Sequence, residues 1–231
     1  MSQPRILIIG ASRGLGHAMA AQFLHKGWHV TGTVRADAGT PLHALAAQHT
    51  DALDIEQLDI RDAAQLQALK QRLDHRHFDI LFVNAGITNR DPNQTIGEVS
   101  TEEFIEVMLT NALSPLRVIE QLQDKVTSDG MIGIMSSGQG SITDNTRGQR
   151  ELYRGSKAAL NMFMRSYAAR HASGQRAMVL MAPGWVRTEL GGADAPYSMD
   201  ENVPKLVNVL LEKMGRPGLE YLDFRGDTVP W

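Results

Sequence analysis

The chain has 231 residues, 42% of them hydrophobic, with 23 Lys and Arg against 26 Asp and Glu, and it has no cysteine. The missing thiol excludes a disulfide framework, a cysteine nucleophile, thiolate zinc sites and iron–sulfur clusters, which leaves hydroxyls, amines, carboxylates, imidazoles or a bound cofactor to do any chemistry. A net charge of −3 argues against a nucleic-acid groove; no run reaches the roughly 18 apolar residues of a membrane span, and Ile6, Leu7, Ile8 and Ile9 are too few for a secretory core, so a cytoplasmic location is expected.

In chain order, strands are expected at 5–9, 28–34, 56–58, 79–83, 131–135, 177–181 and 219–223. Runs such as Ile6-Leu7-Ile8-Ile9 and Ile80-Leu81-Phe82-Val83 are apolar throughout, which suits strands covered on both faces. Helical patterns fill the gaps. Leu15, Met19 and Phe23 form a stripe that ends at Lys26-Gly27; Asp62 with Gln65 reads as a capping box before Leu66, Leu69 and Leu73; Ser100 with Glu103 repeats it before Phe104, Val107 and Met108. The β-α alternation predicts an α/β fold, a doubly wound parallel sheet of about seven strands with helices on both faces, in one domain over 1–231. Less regular stretches at 88–97, 138–150 and 191–202 each follow an expected strand, where such sheets bind substrate.

Gly10-Ala11-Ser12-Arg13-Gly14-Leu15-Gly16 lies between the first strand and first helix. A turn this rich in glycine lets backbone approach a pyrophosphate and presents a helix N-terminus to it, so a nucleotide site is expected there. The second strand ends Thr33-Val34-Arg35, without the acid that usually holds an NAD ribose; Asp37 comes two residues later. Arg35 and Arg13 are read instead as a clamp for a 2′-phosphate, which favours NADP(H) over NAD(H).

Tyr153 and Lys157 stand four apart in a pattern that continues with Leu160, Met164 and Tyr167, so they share a helix face. An ammonium there is expected to lower the phenol pKa toward the operating range of a general acid. Met135-Ser136-Ser137 ends a strand and brings a hydroxyl to the carboxyl edge of the sheet; Ser137 is the candidate, with Ser136 open as the alternative because a one-residue slip reverses the face. Asn111 falls among apolar positions after Val107 and Met108, where a polar side chain must find partners.

These residues together resemble the short-chain dehydrogenase/reductase family: the glycine turn, Asn84-Ala85-Gly86 after the fourth strand, Asn111, Ser137, Tyr153 with Lys157, and Pro183-Gly184-Trp185-Val186-Arg187-Thr188 after the sixth strand. More narrowly, Met135-Ser136-Ser137, the long loop to Tyr153 and the terminal Pro230-Trp231 are similar to the C-factor-like and sniffer-like carbonyl reductase branch. The resemblance implies a Rossmann-type fold and an NADP(H)-dependent oxidoreductase of carbonyl compounds or secondary alcohols. It implies Tyr153 as proton donor, Lys157 holding the nicotinamide ribose, Ser137 on the developing alkoxide and Asn111 anchoring a water beside Lys157. It implies Asp59 and Ile60 at the adenine, and Val186 and Thr188 at the carboxamide.

Other candidates have plainer readings. His75 and His77 suit a helix end, Asp51, Asp54 and Glu56 lack calcium-loop spacing, and no metal is assigned. Met162-Phe163-Met164 with Tyr167 reads as packing or a subunit contact, and whether the chain is a homo-oligomer stays open. The 191–197 segment is a candidate lid. A sensor that binds the nucleotide without turnover is the second functional reading, against which the four polar groups count. An epimerase is disfavoured because only about 40 residues follow Thr188.

Overall fold

The computed structural model describes residues 3–35 and 39–231, so Asp37 lies outside the described residues. Seven parallel strands, β1 (Arg5–Ile9), β2 (His29–Val34), β3 (Leu53–Gln57), β4 (Phe78–Val83), β5 (Val126–Met135), β6 (Ala177–Ala182) and β7 (Gly218–Asp223), form one sheet in the order β3-β2-β1-β4-β5-β6-β7. The order reverses between β1 and β4, which opens a crevice at their carboxyl ends.

Helices α1 (Gly14–His25), α2 (Pro41–Ala46), α3 (Ala63–Arg72), α4 (Thr101–Met108), α5 (Ser114–Leu122), α6 (Glu151–Arg170) and α7 (Met199–Lys213) cover the sheet. Alternation within β1 divides the core in two. Ile6 and Ile8 pack with Met19 and Phe23 of α1 and Leu206 and Leu210 of α7 on one face; Leu7 and Ile9 pack with Leu66, Leu69, Ile119, Leu160 and Met164 on the other. Hence β1 reads as an unbroken apolar run.

Several boundaries differ from the expectation. β3 runs 53–57 rather than 56–58 because it is an edge strand: Asp54 and Glu56 carry ion pairs to Arg76 and Arg72 instead of apolar neighbours. β5 begins at Val126, five residues before the expected start, and its pairing with β4 is irregular between Phe78 and Ile80. The capping boxes at Asp62 and Ser100 are each half made. Asp62 accepts from the amides of Ala64 and Gln65, and Ser100 from Glu103, but Gln65 Oε1 turns to the amide of Asp59 and Glu103 to that of Arg90. A reciprocal box forms at Ser198 and Glu201, so α7 starts inside the stretch read as a 191–202 loop. Phe104 is exposed on α4, and Met162 and Phe163 are exposed on α6 while Met164 and Tyr167 are in the core.

Candidate active site

The chain leaves β1 through Gly10, whose φ is +89° and whose Cβ, if it had one, would lie 2.9 Å from Ala85. A Cβ on Gly16 would meet the Gly10 carbonyl at 2.1 Å and Asn84 at 2.6 Å. Only glycine permits this approach of the first turn to the end of β4. The junction is then tied together: Gly10 N–H donates to Thr33 Oγ1 (2.9 Å), Asn84 Nδ2 donates to the Gly10 carbonyl (2.7 Å), and the amides of Asn84 and Ala85 donate to the Ile9 carbonyl. α1 starts with no side-chain cap and no acid in its first turn. Its first amides are thus left for an anion.

A cavity of about 820 Å³ runs over this turn and along the carboxyl ends of the strands. Gly10, Ser12, Arg13, Gly14 and Leu15 line one end, and Arg35, Asp59 and Ile60 lie there too. Asn84, Ala85 and Gly86 after β4, Ser137, Tyr153 and Lys157, and Pro183, Gly184, Val186 and Thr188 after β6 line it as well. Two expected site residues stand behind the lining. Gly16 packs beneath the turn, and Asn111 is fully buried.

Two pairs of lining charges are already committed to each other. Arg13 pairs across the cavity mouth with Glu189, both side chains exposed. Such a pair holds weakly and yields to a stronger anion. Asp59 is gripped by Arg61 through its backbone N–H (2.9 Å), Nε (3.2 Å) and Nη2 (2.9 Å), which lowers its carboxyl pKa.

At the other end, Ser136 and Ser137 separate cleanly. Ser136 is buried and donates to Asn161 Oδ1 at 2.6 Å, whereas Ser137 is half-buried with its hydroxyl beside Tyr153. Tyr221 of β7 donates to the Ser137 carbonyl, so the far strand of the sheet pins this backbone.

Lys157 Nζ is buried, donates to the Met135 carbonyl at 2.9 Å, and lies 5.9 Å from the Tyr153 ring centre. Burial brings its pKa down to about 8. Tyr153 departs from the expectation of a lowered phenol. Burial is the largest influence and raises its pKa, against the Ser137 hydroxyl and the Arg150 guanidinium, which lower it. The cation acting on the phenol is Arg150, 5.2 Å over its ring.

Asn111 sits in a five-residue π-helical turn, Leu109–Leu113, between α4 and α5. Such turns recur at functional sites. Its Oδ1 accepts from the Ile87 amide (2.8 Å), and its Nδ2 donates to the Ile87 carbonyl (2.8 Å) and Ser156 Oγ (3.0 Å). Both amide hydrogens therefore serve protein partners, and Oδ1 alone keeps capacity for the water that the resemblance implies.

Sequence reasoning missed Thr33, Arg61, Arg150, Trp185 and Glu189, all in the cavity wall. Arg61, two residues beyond Asp59, had a readable signal in its opposite charge. Arg150 lies at the end of the 138–150 stretch expected to hold substrate, but nothing in that aperiodic loop singled it out from its neighbours.

Comparisons with known proteins give the chain's family and fold. A family model described as short chain dehydrogenase matches residues 4–196. A short-chain dehydrogenase/reductase from Burkholderia multivorans, crystallised with bound NADP, is 69% identical with a TM-score of 0.98, covering 100% of both chains. The carbonyl reductase Sniffer of D. melanogaster is 25% identical with a TM-score of 0.89, again over 100% of both chains. C-signal from Myxococcus xanthus is 32% identical over 155 residues, 66% of this chain and 92% of that protein.

Proposed function

Because the chain belongs to the short-chain dehydrogenase family, we propose that it reduces carbonyl compounds to alcohols with NADPH, and runs the reverse oxidation. The carrying observation is that Ser137, Tyr153 and Lys157 line the same cavity as the uncapped, glycine-built start of α1. The turn fits a pyrophosphate, with Arg13 and Arg35 near a 2′-phosphate, Asp59 and Ile60 at the adenine, and Val186 and Thr188 at the carboxamide; the NADP in the Burkholderia relative supports this reading.

NADPH, when bound, supplies the hydride that goes to the carbonyl carbon. The remaining work belongs to the chain. Tyr153 gives its hydroxyl proton to the oxygen that gains the electron pair, and Ser137 donates a hydrogen bond to the same oxygen. The raised pKa of Tyr153 keeps the proton on it until the oxygen becomes basic enough to take it. Lys157 holds the nicotinamide ribose and restores positive charge beside the phenolate. Asn111 acts at one remove, fixing Ile87 in the cavity lining and Ser156 beneath Tyr153. The 88–97 and 138–150 stretches, with the 191–198 part that precedes α7, enclose the substrate, and the whole acts in the cytoplasm.

The test is NADPH oxidation with a panel of aldehydes and ketones. Substrate-dependent turnover is expected. Tight NADPH binding with no turnover on any of them would overturn the enzyme reading and leave the nucleotide sensor.

A further inference from the structure

Arg150 is the last residue before α6 and lies in the wall of the cavity, with its guanidinium carbon 5.2 Å from the Tyr153 ring centre. Its surroundings differ from those of Arg13 and Arg61, which hold carboxylates, and unlike the exposed Arg35 it is half-buried. Arg13 holds Glu189, and Arg61 holds Asp59 and Glu106, so the three carboxylates lining the cavity are all taken by other arginines. Among the described residues the only side-chain partner of Arg150 is Thr88, whose Oγ1 accepts from Nη2 at 3.2 Å, and Nε is buried with no partner. The buried Nε is out of reach of the cavity, but the half-buried charge as a whole meets no carboxylate, and such a cation is costly unless an anion comes to it.

The backbone adds a second, independent sign. Gln149 and Arg150 have φ of +59° and +52°, the two non-glycine residues in the left-handed region among those described. Strain of this kind persists where the surroundings hold a residue for a purpose. Here it sets the guanidinium beside the reacting phenol, at the N-terminal end of a 20-residue helix whose dipole also favours negative charge. Trp185 and Leu190, both exposed, offer apolar surface in the lining of the same cavity.

We propose that Arg150 anchors a carboxylate on the substrate, so that this site takes keto acids with an apolar body, the carbonyl against Tyr153 and Ser137 and the body against Trp185 and Leu190. The assignment rests on the reductase reading above and narrows it to anionic substrates. Guanidinium and carboxylate match in a two-point geometry that a neutral ketone cannot use.

The experiment compares alpha-, beta- and gamma-keto acids bearing an aryl or branched alkyl group with their methyl esters, as kcat/KM for NADPH oxidation. For the wild-type protein at least one acid is expected to exceed its ester by roughly tenfold to a hundredfold, the span of a charge-assisted hydrogen bond. In Arg150→Gln that ratio should collapse toward one, and in Arg150→Lys, which keeps the charge but loses the fork, it should fall only partway. Wild-type turnover of every ester at least as fast as its acid overturns the assignment while leaving the reductase reading intact. It is likewise overturned if Arg150→Gln keeps the wild-type ratio. Absence of turnover on acids and esters alike, with NADPH still bound, overturns both readings. The wild-type comparison stands even where a variant fails to fold.

Discussion

At the scale of single residues the site is governed by burial more than by the nearest charge. Tyr153 and Lys157 are both desolvated, which raises the phenol and lowers the ammonium to about 8. Reduction needs Tyr153 protonated and Lys157 charged, and each form is favoured at low pH. The limiting group is then Lys157. For kcat/KM in the reducing direction a plateau through neutrality and a fall as pH passes about 8 are expected. Oxidation, which needs the phenolate, should instead gain rate with alkalinity. A reducing profile that rises through that region would contradict the assignment of charge to Lys157. Tyr153→Phe tests the proton donor more directly: turnover should drop by about 10²–10⁴-fold, the usual contribution of a positioned acid, while NADPH affinity measured by fluorescence titration stays near wild type. An active phenylalanine variant would remove Tyr153 from the role.

At the scale of elements, legibility followed environment. β1 and β4 are covered on both faces and announced themselves as apolar runs, whereas edge strand β3 alternates Leu53 and Ile55 with acids that face arginines and so was placed late. The glycine turn, Ser137, Tyr153 and Lys157 were readable because each needs a particular residue type at a particular spacing. Arg150 was not, since its place depends on backbone angles at Gln149 and Arg150 that no periodicity encodes. Nor was the π turn around Asn111, whose extra residue is invisible in a 3.6-residue pattern. The corner from α7 to β7 was equally hidden. Lys213 is completely buried at the end of α7, and its Nζ donates to the carbonyls of Arg216 (2.6 Å) and Gly218 (2.9 Å) and meets Glu220 at 2.8 Å. Burial lowers its pKa, with Glu220 opposing, so the ammonium is tolerated because all three hydrogens are used. Lys213→Met should strand both carbonyls and cost about 2 kcal/mol, which for a chain of this size lowers Tm by roughly 4–8 °C. Calorimetry checks it, and an unchanged or higher Tm would show that the corner is held by other contacts.

Over the whole molecule, the net charge of −3 and the local charge of the cavity point in opposite directions. Arg13, Arg35 and Arg61 all reach the end of the cavity near the glycine turn, but Arg61 is neutralised by Asp59 and Arg13 leans on Glu189. The acidic surplus is spread over a surface where solvent screens it, while the guanidiniums converge on one end of one cavity, where opposite charge is focused. On the reading proposed above, this distribution would discriminate a cofactor carrying an extra phosphate from one without it. For Arg13 to join in, the Glu189 pair must open, so part of its attraction is spent on breaking that contact, and Arg35 should carry most of the preference. Arg35→Ala is expected to weaken NADPH binding by roughly tenfold or more, as loss of a charge-assisted hydrogen bond does, and to leave NADH nearly unaffected. The NADPH affinity should also lose part of its salt dependence, because one of the charges being screened is gone. Titration of both nucleotides at two ionic strengths measures each effect. Equal losses for NADPH and NADH would mean that Arg35 supports the fold of the cavity wall, and the 2′-phosphate would then have to be assigned to Arg13 and Arg61.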